Sequence, residues 1–264
     1  PNGLLYALIL GVSLSACGVE TSEALVTKAQ QSLAAGDHKA AIIQLKSAIQ
    51  KDADNAEARF QLGRVYLEEE QFEAAEKEFR RAQEAGYAPE SLSPLLAQAL
   101  SGQGAFKRLL DEIPQPAPGS RGEADVLVAR AIAHAGLGQR EEARHALERA
   151  LAAAPENADV YLAQARLALL DRDPDAALSA VNAALSHDPG HGDAWLFKGD
   201  VLRATGQAGE ASEAYKSALA IDPGHPGARL ALADIAIGED RLVDARKEVA
   251  AVLQAAPKNL QARY

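Results

Sequence analysis

The sequence predicts an all-α protein, a solenoid of seven stacked helix pairs, and three observations predict it. A 34-residue pattern runs through the chain without a gap. It is clearest from Gly192 to His225, where Trp195, Gly199, Ala211, Tyr215, Ala218 and Pro223 stand at positions 4, 8, 20, 24, 27 and 32. Position 8 is always small: Ala29, Gly63, Ala97, Ala131, Ala165, Gly199, Ala233. Position 24 is always apolar: Leu45, Phe79, Ile113, Leu147, Val181, Tyr215, Val249. A small residue lets the first helix of a pair approach the second, and the apolar residue fills the space beside it. Proline at position 32 (Pro155, Pro189, Pro223, Pro257) ends the second helix, because it has no N–H and clashes with the preceding turn. A single unit cannot bury its apolar stripe alone, so neighbouring units stack.

The elements follow in order. Leu4 to Ala16 is an apolar run ending in small residues. It is too short to span a bilayer and fits the apolar part of a signal peptide over residues 1–16. Leu14-Ser15-Ala16-Cys17 resembles the bacterial lipobox, which implies cleavage before Cys17 and a lipid on its thiol. Gly18, rather than Asp, follows the cysteine, and by that resemblance the destination is the outer membrane, facing the periplasm. Residues 17–21 form a short tether; the four residues after the cysteine reach at most about 14 Å. The chain contains no Met, so it is expected to begin inside a longer precursor.

Repeats begin at Ser22, Ala56, Glu90, Ala124, Ala158, Gly192 and Pro226, and residues from Leu260 look like the start of an eighth. Residues 22–113 hold repeats one to three. In the third, the second helix starts near Ala105 and is cut near Ile113, because the IPQPAPGSRG segment cannot continue a helix. Residues 114–123 are a Pro/Gly-rich linker, either a joint or a long loop in a continuous solenoid. Residues 124–264 hold repeats four to seven and the start of the next. Asn157, His191, His225 and Asn259 at position 34 read as helix caps.

Composition narrows the function. A net charge of −10 argues against nucleic acid as a partner. The single cysteine cannot form an internal disulfide. The sequence carries no phosphate-binding glycine loop, nucleophile elbow or Cys/His cluster, so neither catalysis, a cofactor, a metal nor a small-molecule substrate is expected. His191 and His225 are equivalent in adjacent repeats, and as turn residues they need no metal. Position 2 is acidic in most repeats (Glu23, Glu57, Asp125, Asp159, Asp193). That suits the positive end of a helix dipole, or an acidic ladder for a basic ligand.

These residues resemble the tetratricopeptide repeat, which implies a right-handed superhelix with a concave groove for a protein or peptide partner. Position 5 looks into that groove in the family. Here it is apolar (Val26, Phe60, Pro94, Val128, Leu162, Leu196, Leu230), so the carboxylate clamp of some family chaperones is not supported. The candidate groove is Leu162, Leu196 and Leu230 as an apolar strip, flanked by Arg166 and Arg203 on one side and Asp200 and Asp234 on the other. The competing account buries these leucines between helices. Residues 14–113, including AAIIQLKSAIQKDADNAEARFQLGRVYLEEEQFEAAEKEFRRAQEAGY, further resemble the repeat lipoproteins of PEP-CTERM/exosortase systems. That resemblance implies a lipid-anchored periplasmic scaffold for exopolysaccharide export or PEP-CTERM protein sorting. The alternatives are a pilotin-like assembly factor for a pilus secretin, another polysaccharide-export scaffold, or the regulatory part of a longer enzyme.

Overall fold

A computed structural model of the chain describes residues 20–255, and among these every regular element is a helix. Fourteen helices form seven antiparallel pairs: α1 (Ser22–Ala34) with α2 (His38–Lys51), α3 (Ala56–Glu68) with α4 (Phe72–Glu84), and α5 (Pro89–Gly102) with α6 (Phe106–Glu112). Then come α7 (Glu123–Gly136) with α8 (Arg140–Ala153), α9 (Ala158–Leu170) with α10 (Pro174–His187), α11 (Gly192–Ala204) with α12 (Ala208–Ile221), and α13 (Pro226–Gly238) with α14 (Leu242–Ala255). The expected signal peptide, Cys17, Pro257, Asn259 and the expected start of an eighth repeat lie outside the described residues.

Local chemistry sets the boundaries. Asn55 Oδ1 accepts from the Ala58 N–H at 2.8 Å and caps α3; Asn157 does the same for Asp159 N at 2.8 Å on α9. His191 and His225 cap α11 and α13 through Nδ1, which accepts from Ala194 and Ala228 N–H. All seven turns between paired helices pass through the left-handed region at position 15. Four use glycine there, among them Gly36 and Gly206, and three use Glu70, Arg172 and Asp240.

The small–large pairing at positions 8 and 24 is direct. A Cβ on Gly199 would meet the Tyr215 ring at 2.5 Å, and one on Gly63 would meet the Phe79 ring at 2.6 Å. Tyr215 and Phe79 are fully buried.

Position 4 has a role that residue type conceals. Trp195 Nε1 donates to Pro189 O at 2.9 Å, and Tyr161 OH donates to Pro155 O at 2.8 Å. Arg59 Nε donates to Ala53 O at 2.9 Å, and Arg229 Nε to Pro223 O at 3.0 Å. In each case a donor at position 4 ties down the carbonyl at position 32 of the preceding repeat, six residues back. Where the donor is arginine, position 23 is a glutamate that pairs with it: Glu78 with Arg59 at 2.9 Å and Glu248 with Arg229 at 2.6 Å. Where the donor is aromatic, position 23 is Ala180 or Ala214.

The third pair is the irregular one. Its second helix has seven residues, and Ile113 to Gly122 is non-helical, as its three prolines require. The core nevertheless continues past this segment. One cluster runs from Ala75 and Phe79 through Leu92, Leu109 and Ile113 to Val126, Ala129 and Ala133. The buried Arg130 guanidinium closes the clipped helix by donating to Ile113 O at 2.8 Å.

An ionic cluster also fastens α6 to α4. Glu76 accepts from Arg80 Nε at 2.8 Å, from Gln103 Nε2 at 2.9 Å and from Arg108. Burial pushes the Glu76 carboxyl up, but the hydrogen bonds from Arg108, Gln103 and Arg80 outweigh it and hold the group at about 2. A folded-state value below the unfolded one gives stability that is present above about pH 4.5 and lost as pH falls toward 2. Glu76→Gln is therefore expected to cost about 2 kcal/mol at pH 7 in urea unfolding, and to converge on the parent near pH 2. A pH-independent difference would show that the carboxylate charge is not what holds α6.

Candidate functional site

A groove of about 470 Å³ is lined by positions 5, 6 and 9 of α5, α7 and α9, by position 2 of α7, α9 and α11, and by residues at the ends of α3 and α5. Its floor is apolar: Pro94, Leu95, Val128, Ile132 and Leu162. Its walls are acidic. Asp125, Asp159 and Asp193 come from the first turns of α7, α9 and α11, and Glu68 and Glu70 come from the α3–α4 turn. Arg166 is the single cation among the lining residues.

A second cavity of about 460 Å³ adjoins the first and shares Ile132, Ala163 and Arg166 with it. It is almost wholly apolar, with Phe106, Leu167, Leu170 and Phe197 in its walls. Leu170 is exposed, with 51% of its surface open. A third hollow of about 570 Å³ lies at the first turns of α9 and α11, lined by Asp159, Asp188, Asp193, Asp222 and the capping histidines. His191 uses Nδ1 as the acceptor for its cap, so Nε2 carries the proton and donates to Asp159 Oδ1 at 3.0 Å. That hydrogen bond raises His191 above the usual imidazole range. No group of three or more residues that could hold a metal ion occurs among the described residues. None of the described helices is long and apolar enough to cross a membrane.

The seven groove residues expected from the sequence divide. Leu162 and Arg166 line the groove. Leu162 is also buried, at 3% exposure, among Ala158, Ala165 and Val181, so truncating it perturbs packing as well as any contact. Leu196 is half-buried against the α11–α13 cluster, and Leu230 is half-buried on α13. Asp200 and Arg203 are engaged by the Tyr215 hydroxyl, which donates to Asp200 Oδ1 at 2.8 Å and accepts from Arg203 Nε at 3.3 Å. Asp234 is exposed near them. None of Leu196, Asp200, Arg203, Leu230 and Asp234 lines one of these three cavities.

The groove's centre therefore sits one to three repeats earlier than the leucine strip. The residues missed were at positions 6, 9 and 12: Leu95, Gln98, Ile132 and Leu67. The position-2 acids of α7, α9 and α11 line the groove while standing in the first turns of their helices.

Two tetratricopeptide-repeat profiles match the sequence, one over residues 32–99 and 202–264, the other over 128–185 and 162–226. No curated protein matches significantly. Among solved structures, a tetratricopeptide repeat protein from Parabacteroides merdae is similar at 15% identity over 92% of this chain and 96% of that one, with a TM-score of 0.61. PilW, a widely conserved type IV pilus biogenesis factor, is similar at 20% identity over 80% and 98%, with a TM-score of 0.56. A chain of the APC/C hetero-tetramer Cut9–Hcn1 is similar at 13% identity over 92% and 42%, with a TM-score of 0.54. At these identities the likeness is one of fold.

Proposed function

The chain belongs to the tetratricopeptide-repeat family, and on that premise we propose that it is a non-enzymatic scaffold whose groove binds a segment of a partner protein. The observation that carries this reading is the groove itself, an apolar floor between charged walls on the stacked first helices. The scaffold is held at the outer membrane, facing the periplasm, by a lipid on Cys17. The apolar run ending in Leu14-Ser15-Ala16-Cys17 supports that part of the reading. Its service in exopolysaccharide export or PEP-CTERM protein sorting rests on the resemblance over residues 14–113. A pilus-assembly role is the second reading, favoured by the shared fold with PilW.

One experiment tests both levels. A photocrosslinking residue is placed at Gln98, exposed in the groove, or at Glu148, exposed on α8 outside the cavities. Crosslinking in cells is expected to yield a discrete adduct from position 98 and none from 148, in the membrane fraction. Cys17→Ala is expected to leave the adducting protein uncleaved and without lipid mass. Equal labelling from both positions would remove the groove as the binding site. A processed, unlipidated Cys17 in the cell-derived parent would remove the anchor. The adduct's identity separates export or sorting from pilus assembly.

A further inference from the structure

We infer that the groove takes a basic segment with an apolar anchor: an extended stretch with Lys or Arg repeated along it and a bulky apolar side chain seated in the Phe106–Phe197 cavity. The inference rests on the reading of the groove as a partner site and names that partner's chemistry.

Charge points to the basic residues. Five carboxylates and one guanidinium line the groove. Among the described residues, the ion pairs of those carboxylates are Asp159 with His191, and Glu68 with Arg64 and His38. Asp125, Asp193 and Glu70 have no ion pair among the described residues. The net charge of −10 adds a long-range attraction for a cationic segment.

Geometry sets the pattern. Asp125, Asp159 and Asp193 occupy one position in three successive repeats and line one groove. Such a ladder asks for cations repeated along the guest rather than gathered at one end.

Arg166 lines both the groove and the apolar cavity. It repels a lysine there, so an apolar side chain is what passes into the cavity. That exclusion fixes register as well as composition.

The test uses the full chain and a fluorescein-labelled peptide of four Lys-Leu-Ser repeats. Two further peptides replace every Lys with Glu or every Leu with Ser. Anisotropy is expected to show binding of the first, and binding at least tenfold weaker for each of the others. Asp125→Asn/Asp159→Asn/Asp193→Asn is expected to lose about tenfold in affinity for the first peptide. Glu73→Gln/Glu148→Gln/Glu210→Gln, which removes three exposed carboxylates outside the groove, is expected to lose none. Asp159 also holds His191, so Asp125→Asn/Asp193→Asn is measured alongside and is expected to weaken binding while the protein stays folded. Equal binding of the Lys and Glu peptides overturns the inference. So does an equal loss in the two carboxylate triples, or no binding of the Lys peptide up to about 1 mM. Crosslinking at Gln98 stands apart from these results: if it persists while the peptides fail, the groove remains a partner site of different chemistry.

Discussion

Gly199→Leu is expected to destabilise the protein by about 2–4 kcal/mol in urea unfolding, an unusually large effect for a residue with no side chain. The cause is the missing volume. A Cβ at Gly199 already falls 2.5 Å from the Tyr215 ring. The ring has no room to withdraw, because Tyr215 is fully buried and its hydroxyl is bonded to Asp200 and Arg203. Burial and the Asp200 hydrogen bond push that hydroxyl up to about 12, so it remains a donor across the ordinary pH range. Leucine therefore forces α11 away from α12. Gly209 on α12 is the control, since nothing lies within 4 Å of a Cβ there. Gly209→Ala is expected to be neutral or to stabilise by a few tenths of a kcal/mol through helix propensity. An unchanged melt for Gly199→Leu would mean that the paired helices do not close on position 8.

The second large effect is expected at Glu78. Arg59 and Glu78 are both buried, at 8% exposure. Glu78→Ala leaves the Arg59 guanidinium with Ala53 O but without its counter-charge, and is expected to cost about 3 kcal/mol. The chain itself contains a remedy. Trp195 and Ala214 fill the equivalent places in the sixth repeat, where the indole N–H alone serves the carbonyl. Arg59→Trp added to Glu78→Ala is therefore expected to recover more than half of the loss. Strictly additive costs in the double variant would show that positions 4 and 23 do not act as one device.

Much of the fold was legible because its determinants are local and periodic. The frame, the caps Asn157, His191 and His225, and the break at Ile113 all follow from residue type at a fixed position. The position-4 device was not legible by type, since Trp, Tyr and Arg share a donor but little else. It emerges from Arg59, Tyr161, Trp195 and Arg229 each reaching a carbonyl six residues back. The site was harder. Leu162 was named because position 5 was followed along the chain, and Arg166, at position 9, as a charge flanking it. Leu95, Ile132 and Phe106 were missed because a groove is formed by neighbouring repeats together. Phe106 of the short α6 and Phe197 of α11 line one cavity from repeats that are not neighbours, and no single repeat encodes that.

The buried clusters follow one another along the chain, each drawn from helices adjacent or nearly adjacent in sequence. No step of folding has to wait for distant segments to find each other, so the loop-closure entropy that slows β-rich proteins is small here. Structure nucleates in any neighbouring pair of repeats and spreads by accretion. Because each pair is held by the pairs beside it, a substitution in one repeat loosens that repeat and its neighbours first.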